Sequence, residues 1–242
     1  MLAGKVLHHH SRRQDNAEAL KLLERAIELD PGYAHARAWR ACVLGQAWVY
    51  GWDEDPELTL QEIAEELERA LALDENDADV HRILAALNIT RHNFDQALLH
   101  QEMALNLNPN YDLSVVQNGE LMTWLGRPDE GIEWIKKAMQ LNPFHPPRFW
   151  SHLGRAYFVA HRYQDAIEAF KHINTPDQTQ HAFIAASYAY LDDDTQAAAH
   201  GREVLNCAPD FTVDAHMVTQ HYLKDDDHTH HRDGLLKAGL PA

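Results

Sequence analysis

The chain has 242 residues, with 37 acidic against 21 basic side chains and a formal charge of −16 before any of its 18 histidines is protonated. That balance argues against nucleic acid or an anionic membrane surface as a partner. No apolar run approaches the ~18 residues of a membrane helix, Met1 to His8 lack the apolar region of a signal peptide, and Cys42 and Cys207 lie far apart, so free thiols in a reducing, cytoplasmic compartment are expected.

Leu2, Val6 and Leu7 form a short apolar stripe, which predicts a first helix reaching about Arg13. Asp15-Asn16 can cap a second helix, where Ala19, Leu20, Leu23, Ala26 and Ile27 recur at helical spacing until Pro31-Gly32 stops it. The phrase that closes this helix, Ala26-Ile27-Glu28-Leu29-Asp30-Pro31, comes back along the chain. It returns as Ala70 to Glu75 without its proline, as Ala104-Leu105-Asn106-Leu107-Asn108-Pro109, as Ala138-Met139-Gln140-Leu141-Asn142-Pro143, and as Val204 to Pro209. From Ala70 to Ala104, and from Ala104 to Ala138, the step is 34 residues. A proline-closed unit of this period resembles the tetratricopeptide (TPR) repeat, a helical hairpin that buries its apolar face only by stacking on its neighbours.

The resemblance implies an all-α fold, a right-handed solenoid of about six hairpins followed by C-terminal capping helices. Residues 1–211 would form the array and 212–242 the caps, packed on it. The second unit is ten residues longer than the period, with the extra chain around Gly45 to Pro56, including Trp48 and Trp52. A lengthened first helix, a loop over Gly51 to Asp55 and a helix opening at Pro56 are expected there. Asp77 caps the next helix, through Arg91. Gly119 permits close helix contact in the fourth unit, and Gly126-Arg127-Pro128-Asp129 turns the chain. The fifth unit, with Trp150, Leu153, Gly154, Tyr157, Tyr163, Ala166 and Phe170, matches the family pattern best; Trp150, Tyr157, Tyr163 and Phe170 are read as core, and Gly154, together with Ala166, should let the two helices of the hairpin approach closely. The sixth turns at Asp192 to Asp194. Val213 to Leu223 predicts a covering helix, and Asp225-Asp226-Asp227 a cap for a last helix ending at Gly239.

Three phrases narrow the match: Leu2-Ala3-Gly4-Lys5 before a histidine-rich helix, the tryptophan insertion followed by Asp55-Pro56, and the ending Gly234 to Pro241. Together they resemble the C-terminal TPR region of bacterial class III adenylate/guanylate cyclases and of related TolB-like or winged-helix regulators. In that case the catalytic or DNA-binding domain belongs to a parent chain, and Met1 marks an internal start or an inherited boundary.

The chain holds no phosphate-binding loop, dinucleotide glycine fingerprint, nucleophile elbow, metalloprotease histidine pair or Cys-x-x-Cys. No catalytic residue and no cofactor are therefore assigned, and the chain is read as no enzyme. His8-His9-His10 and His228, His230 and His231 have metal-ligating chemistry, but neither cluster by itself supplies a tetrahedral set, so no metal site is assigned. What remains is a surface for a protein or peptide. The first helix of each TPR hairpin lines the groove, and helical spacing places Gln46, Arg82, Glu120, Trp124, Arg148, Arg155, Phe158 and Tyr190 there. Basic residues flanked by aromatics on an acidic protein suit an extended peptide with a carboxylate. The Lys/Asn clamp of chaperone-binding TPR domains is not evident. The expected function is a non-catalytic interaction scaffold; the alternative is a regulatory tail of a cyclase or TolB-like regulator, which would also accommodate a homo-oligomer.

Overall fold

The structure, a computed structural model, describes residues 1–10 and 12–242. Fourteen helices, and no strand, are found among the described residues. The chain divides into two compact units, Met1–Ser114 and Val115–Ala242. In the first unit, α1 (Leu2–His9) pairs with α2 (Arg13–Leu29), α3 (Ala34–Val49) with α4 (Pro56–Leu73), and α5 (Ala78–Thr90) with α6 (Phe94–Leu107). α7 (Asp112–Trp124) starts the fourth hairpin, which α8 (Pro128–Leu141) completes. Then α9 (Arg148–Val159) pairs with α10 (Tyr163–Phe170), and α11 (Gln178–Tyr190) with α12 (Asp194–Cys207). Two further helices follow, α13 (Val213–Val218) and α14 (Asp225–Lys237).

The repeated phrase does what proline requires. At the ends of α2, α6 and α8 the last helical residue is the leucine before the Asn or Asp, Leu29, Leu107 and Leu141, and the helix stops ahead of proline; α12 stops in the same way at Cys207, before Ala208-Pro209, and α4 ends at Leu73 without a proline. Inside the units the helices meet through alanine: Ala38, Ala41 and Ala70 are fully buried with Leu67 and Val80 in one cluster, and Ala185 and Ala189 with Ala197 in another. Small side chains let helix axes approach while large ones fill the gaps between them.

The turns inside the hairpins share one device. After α3, α5, α7, α9 and α11 a single residue enters the left-handed region: Gly51 at φ 62, His92 at 55, Gly126 at 69, His161 at 58 and Asp192 at 59. Each time the next amide reaches back five residues, as Asn93 N–H does to Asn88 O at 2.8 Å and Arg162 N–H to Tyr157 O at 2.9 Å. This is the Schellman closure, which satisfies carbonyls the helix end leaves open. Three of the five positions are not glycine, so composition alone marks only two of these turns.

Several expected boundaries move. α1 ends at His9, short of Arg13, and α2 begins at Arg13 with no side-chain cap. Asn16 does not cap it; its Nδ2 is turned inward onto Val43 O at 2.9 Å and Gln46 Oε1 at 3.0 Å. Asp55, Asp77 and Asp177 do cap α4, α5 and α11, the last in a reciprocal box with Gln180. The helix expected over Val213 to Leu223 stops at Val218. Asp225, Asp226 and Asp227 lie inside the first turn of α14, beyond its N-cap Lys224, where they favour the positive helix end without capping it. The close approach expected at Gly154 is present: a Cβ there would stand 2.6 Å from the ring of Phe170 on α10.

Candidate functional site

The side chains with the most elaborate chemistry sit on the first helices of the hairpins, and each unit has one constellation of them. In the first unit it is centred on Asp79, which is 2 % exposed. Asp77 accepts the amides of Asp79 and Val80, which fixes the first turn of α5 and aims Asp79 into the unit. Trp39 Nε1–H donates to its carboxylate at 2.8 Å, Arg82 Nε–H at 2.8 Å and the Tyr111 hydroxyl at 3.2 Å, while Lys5 Nζ approaches to 3.4 Å. His35 bridges the two acids, with Nδ1 2.6 Å from Asp77 and Nε2 3.5 Å from Asp79. Burial pushes the Asp79 carboxyl up, but Arg82 and then Lys5 outweigh it and hold the group at about 2. Among the described residues, His35, Asp77 and Asp79 are the group whose three ligand-type atoms come within 4.8 Å of one another. Two cations already pair with Asp79, so the group works as an ion-pair junction tying α1, α3, α5 and the start of α7.

Of the sequence-assigned groove residues, Gln46 and Arg82 belong to this unit. Gln46 Nε2 donates to His8 O at 3.1 Å, and Arg82 is 5 % exposed and committed to Asp79. The α1 segment covers this face: His8 and His9 both meet the Trp39 ring edge-on, at 5.6 and 5.9 Å.

In the second unit the structure brings Glu120, Trp124, Arg155, Phe158 and Tyr190 onto one face of α7, α9 and α11. Arg148 opens α9 and is half-buried. Arg155 Nη1 donates to Glu120 at 3.0 Å, with His152 on the same oxygen at 3.4 Å, and its guanidinium lies 4.6 Å over the Trp124 ring. Burial raises the Glu120 carboxyl, and His152 and Arg155 together push it far below the usual carboxylate range.

This face is already occupied, by the chain itself. Residues 211–240 lie on it. Trp124 is 2 % exposed, because Tyr222 and His221 meet it edge-on at 4.9 and 5.5 Å. Phe158 is fully buried against His230 and His231, at 5.3 and 5.2 Å. Tyr190 stacks on His230 at 4.3 Å and donates its hydroxyl to the His230 carbonyl at 2.6 Å; burial pushes that hydroxyl up to about 12. The backbone takes part as well: Leu223 N–H donates to Trp124 O at 2.9 Å, and Lys224 Nζ to Gly126 O at 2.7 Å. Gly234 lets α14 lie flat on α11, since a Cβ there would meet Tyr190 at 2.6 Å.

The structure thus brings five of the eight assigned residues together, and the segment against them belongs to the stretch expected as caps. His231, considered in the sequence as a metal ligand, is fully buried with Nδ1 3.1 Å from the Tyr222 hydroxyl, and His230 is drawn into the tyrosine stack. Tyr163, expected in the core, stacks on Tyr190 at 5.0 Å on the side facing α14. The Asp79 junction is missed in the sequence: Arg82 is assigned to the groove and Asp79 to nothing, although Asp79 is the partner of Arg82.

No family model matches the sequence, and no curated protein matches it either. Solved structures do. A chain of the APC/C hetero-tetramer Cut9–Hcn1 aligns with a TM-score of 0.69 at 18 % identity over 87 % of this chain; the chain spans 40 % of that one's length. PilW, a type IV pilus biogenesis factor, aligns with a TM-score of 0.59 at 17 % identity, over 87 % of this chain and 94 % of its own. A thermophilic TPR protein of Thermus thermophilus aligns at 0.56 and 18 % identity, over 74 % and 91 %. These likenesses establish the fold as the TPR hairpin array that the period implied. No helix among the described residues is long and apolar enough to cross a membrane.

Proposed function

We propose that the chain is a non-catalytic protein-interaction scaffold, and that it takes a peptide or helical segment of a partner on the face formed by Glu120, Trp124, Arg148, Arg155, Phe158 and Tyr190. One observation carries this reading: the face already holds a peptide segment, residues 211–240, through ring stacking, side-chain hydrogen bonds to its backbone, and a backbone–backbone bond. These are the contacts that α-solenoids use to hold extended or helical ligands. Arg155 over Trp124 adds a guanidinium with fixed geometry, suited to a carboxylate of the incoming segment. Gln46 and Arg82, bound to His8 and Asp79, take no part. The acidic charge keeps nucleic acid out of the reading.

The test is affinity for the partner that a pull-down with the full chain recovers. Arg148→Glu with Arg155→Glu should weaken binding about tenfold or more, a loss of roughly 1.4 kcal/mol. Lys136→Glu with Lys137→Glu, on the exposed side of α8, should leave binding unchanged. Melting curves check that both variants fold. If the α8 change weakens binding and the Arg148/Arg155 change does not, the partner sits elsewhere and the assignment fails. The cyclase-like phrases at the two ends would make the partner domain part of a parent chain. The chain alone should convert neither ATP nor GTP to a cyclic product; turnover that copurifies with it through successive columns would overturn the non-enzyme reading.

A further inference from the structure

At their far end, residues 211–240 join an alanine-packed seam, Ala238 with Ala185, Ala189 and Ala197, but the rest of their contact with the hairpins beneath is of another kind. Buried polar atoms without a hydrogen-bond partner gather at it from both sides: Trp124 Nε1 and Arg155 Nε on the hairpins, His216 Nε2, Gln220 Oε1, Asp227 Oδ2 and His231 Nε2 on the segment. Each such atom weakens the seam by the hydration it gave up. Four of the segment's contact side chains are imidazoles: His221 on Trp124, and His216, His230 and His231, the three that lie around Phe158, Phe183 and Tyr190. His216 packs on Phe211 at 5.3 Å, Phe183 at 6.5 Å and His231 at 5.3 Å. His231 also stacks on Phe183 at 4.2 Å, and His230 lies between Tyr190 and His161, at 4.3 and 4.2 Å.

We propose that residues 213–240 are a releasable occupant of this face, which leaves it on mild acidification and so opens it to the partner; the proposal rests on the scaffold reading above. The groups facing the three imidazoles decide the direction. Arg155, from α9, faces His216 and His231; His161, from the turn after α9, faces His230; His216, His228 and His230 crowd His231 from the segment itself. The Tyr222, Tyr163 and Tyr190 hydroxyls are held neutral by burial and supply no negative charge. Among the acids, Asp233, on α14, acts on His230; Asp227, also on α14, faces His161 and Tyr222; and Glu120, from α7, is paired with Arg155 and faces His221.

Burial, and then Arg155, hold His216 at about 4 against an ordinary 6.5; burial and His161 hold His230 at about 4; burial and its neighbours hold His231 well down. A base whose pKa is depressed in the docked state stays neutral there and gains a proton on release. Docking is therefore strongest above pH 6.5 and weakens as pH falls from 6.5 towards 4. For His216 alone the release equilibrium shifts about thirtyfold by pH 5, and the other two add to it.

Hydrogen–deuterium exchange of the full chain at about pH 7.5 and about pH 5, corrected for intrinsic rates, tests this. Amides of α14 should lose at least about thirtyfold of their protection at the lower pH while those of α9 and α11 keep theirs. The triple variant His216→Gln, His230→Gln, His231→Gln, which removes all three of these protonation sites, should hold α14 docked at both. Equal protection of α14 at the two pH values in the unaltered chain would overturn the proposal, as would simultaneous loss from α9, α11 and α14, which is acid unfolding. The measurement involves no partner, so it can fail while the Arg148/Arg155 experiment succeeds, and the reverse.

Discussion

Asp79→Ala is expected to destabilise the first unit by about 3–5 kcal/mol, the usual cost of removing one partner from a buried ion pair. The carboxylate satisfies Arg82, which is 5 % exposed and has no route to bulk water, and it also accepts from Trp39 and Tyr111. Its removal takes the carboxylate from a buried guanidinium and the acceptor from the Trp39 and Tyr111 donors, and each lost acceptor adds to the cost. Asp79→Asn should cost less, because an amide oxygen still accepts from Trp39 while the charge opposite Arg82 and Lys5 is gone. Asp79→Ala with Arg82→Met should recover much of the loss, since an apolar pair of similar volume needs no counter-charge. The pH dependence has a definite sign. The folded carboxyl titrates at about 2 against an ordinary 3.8, so its contribution is complete above pH 3.8 and is lost as pH falls from there towards 2. Urea unfolding of the four proteins measures all of this. A single-alanine variant within about 1 kcal/mol of the parent, the least that the buried-pair argument tolerates, would mean that Asp79 is not the junction.

The same cluster shows where the sequence stops speaking. The period and the Leu–Asn/Asp–Pro endings place the hairpins, because proline and helical spacing act within a few residues of themselves. Asp55, Asp77 and Asp177 are legible as caps for the same reason. Asp79 is not, because its burial comes from Lys5, Trp39 and Tyr111, which are distant along the chain. The inner face of the second unit repeats the lesson. Helical spacing puts Glu120, Trp124, Arg155, Phe158 and Tyr190 on one side, but a periodic pattern says which side is apolar and nothing about which side chains will cover it. The histidines that cover it read, in the sequence, as metal-ligating candidates on a capping helix. Only the depth of the stack on Phe158 and Tyr190 turns them into contact residues. Likewise His92, His161 and Asp192 close their helices in a conformation that glycine would have announced, and these residue types do not.

Gly119→Ala should destabilise the second unit even though the substitution normally stabilises a helix. Within a helix, alanine is favoured over glycine by about 1 kcal/mol. Here a Cβ would stand 2.5 Å from Ile135 Cγ1, 2.7 Å from Gly131 O and 3.0 Å from Ile135 N. Two of those atoms are backbone, so no rotamer change relieves the contact, and α8 must move away from α7. The approach is reciprocal: a Cβ on Gly131 would stand 2.8 Å from Gly119 O and 2.6 Å from Thr123 Oγ1, and that hydroxyl already donates to Gly119 O at 2.9 Å. Overpacking of this kind costs about 1–3 kcal/mol or more, which exceeds the propensity gain, so the net change is a loss; Gly119→Leu should lose more. Gly201→Ala makes the comparison. It too lies buried in a helix, α12, but its Cβ would meet nothing nearer than Ala238 O at 3.6 Å, an ordinary contact. There the propensity term stands unopposed, and a gain of about 0.4–1 kcal/mol is expected. Thermal and urea unfolding of the two alanine variants should therefore move in opposite directions from the parent. If Gly119→Ala melts at or above the parent, α7 and α8 are not held at backbone contact, and the close crossing on which the fourth hairpin is built is wrong.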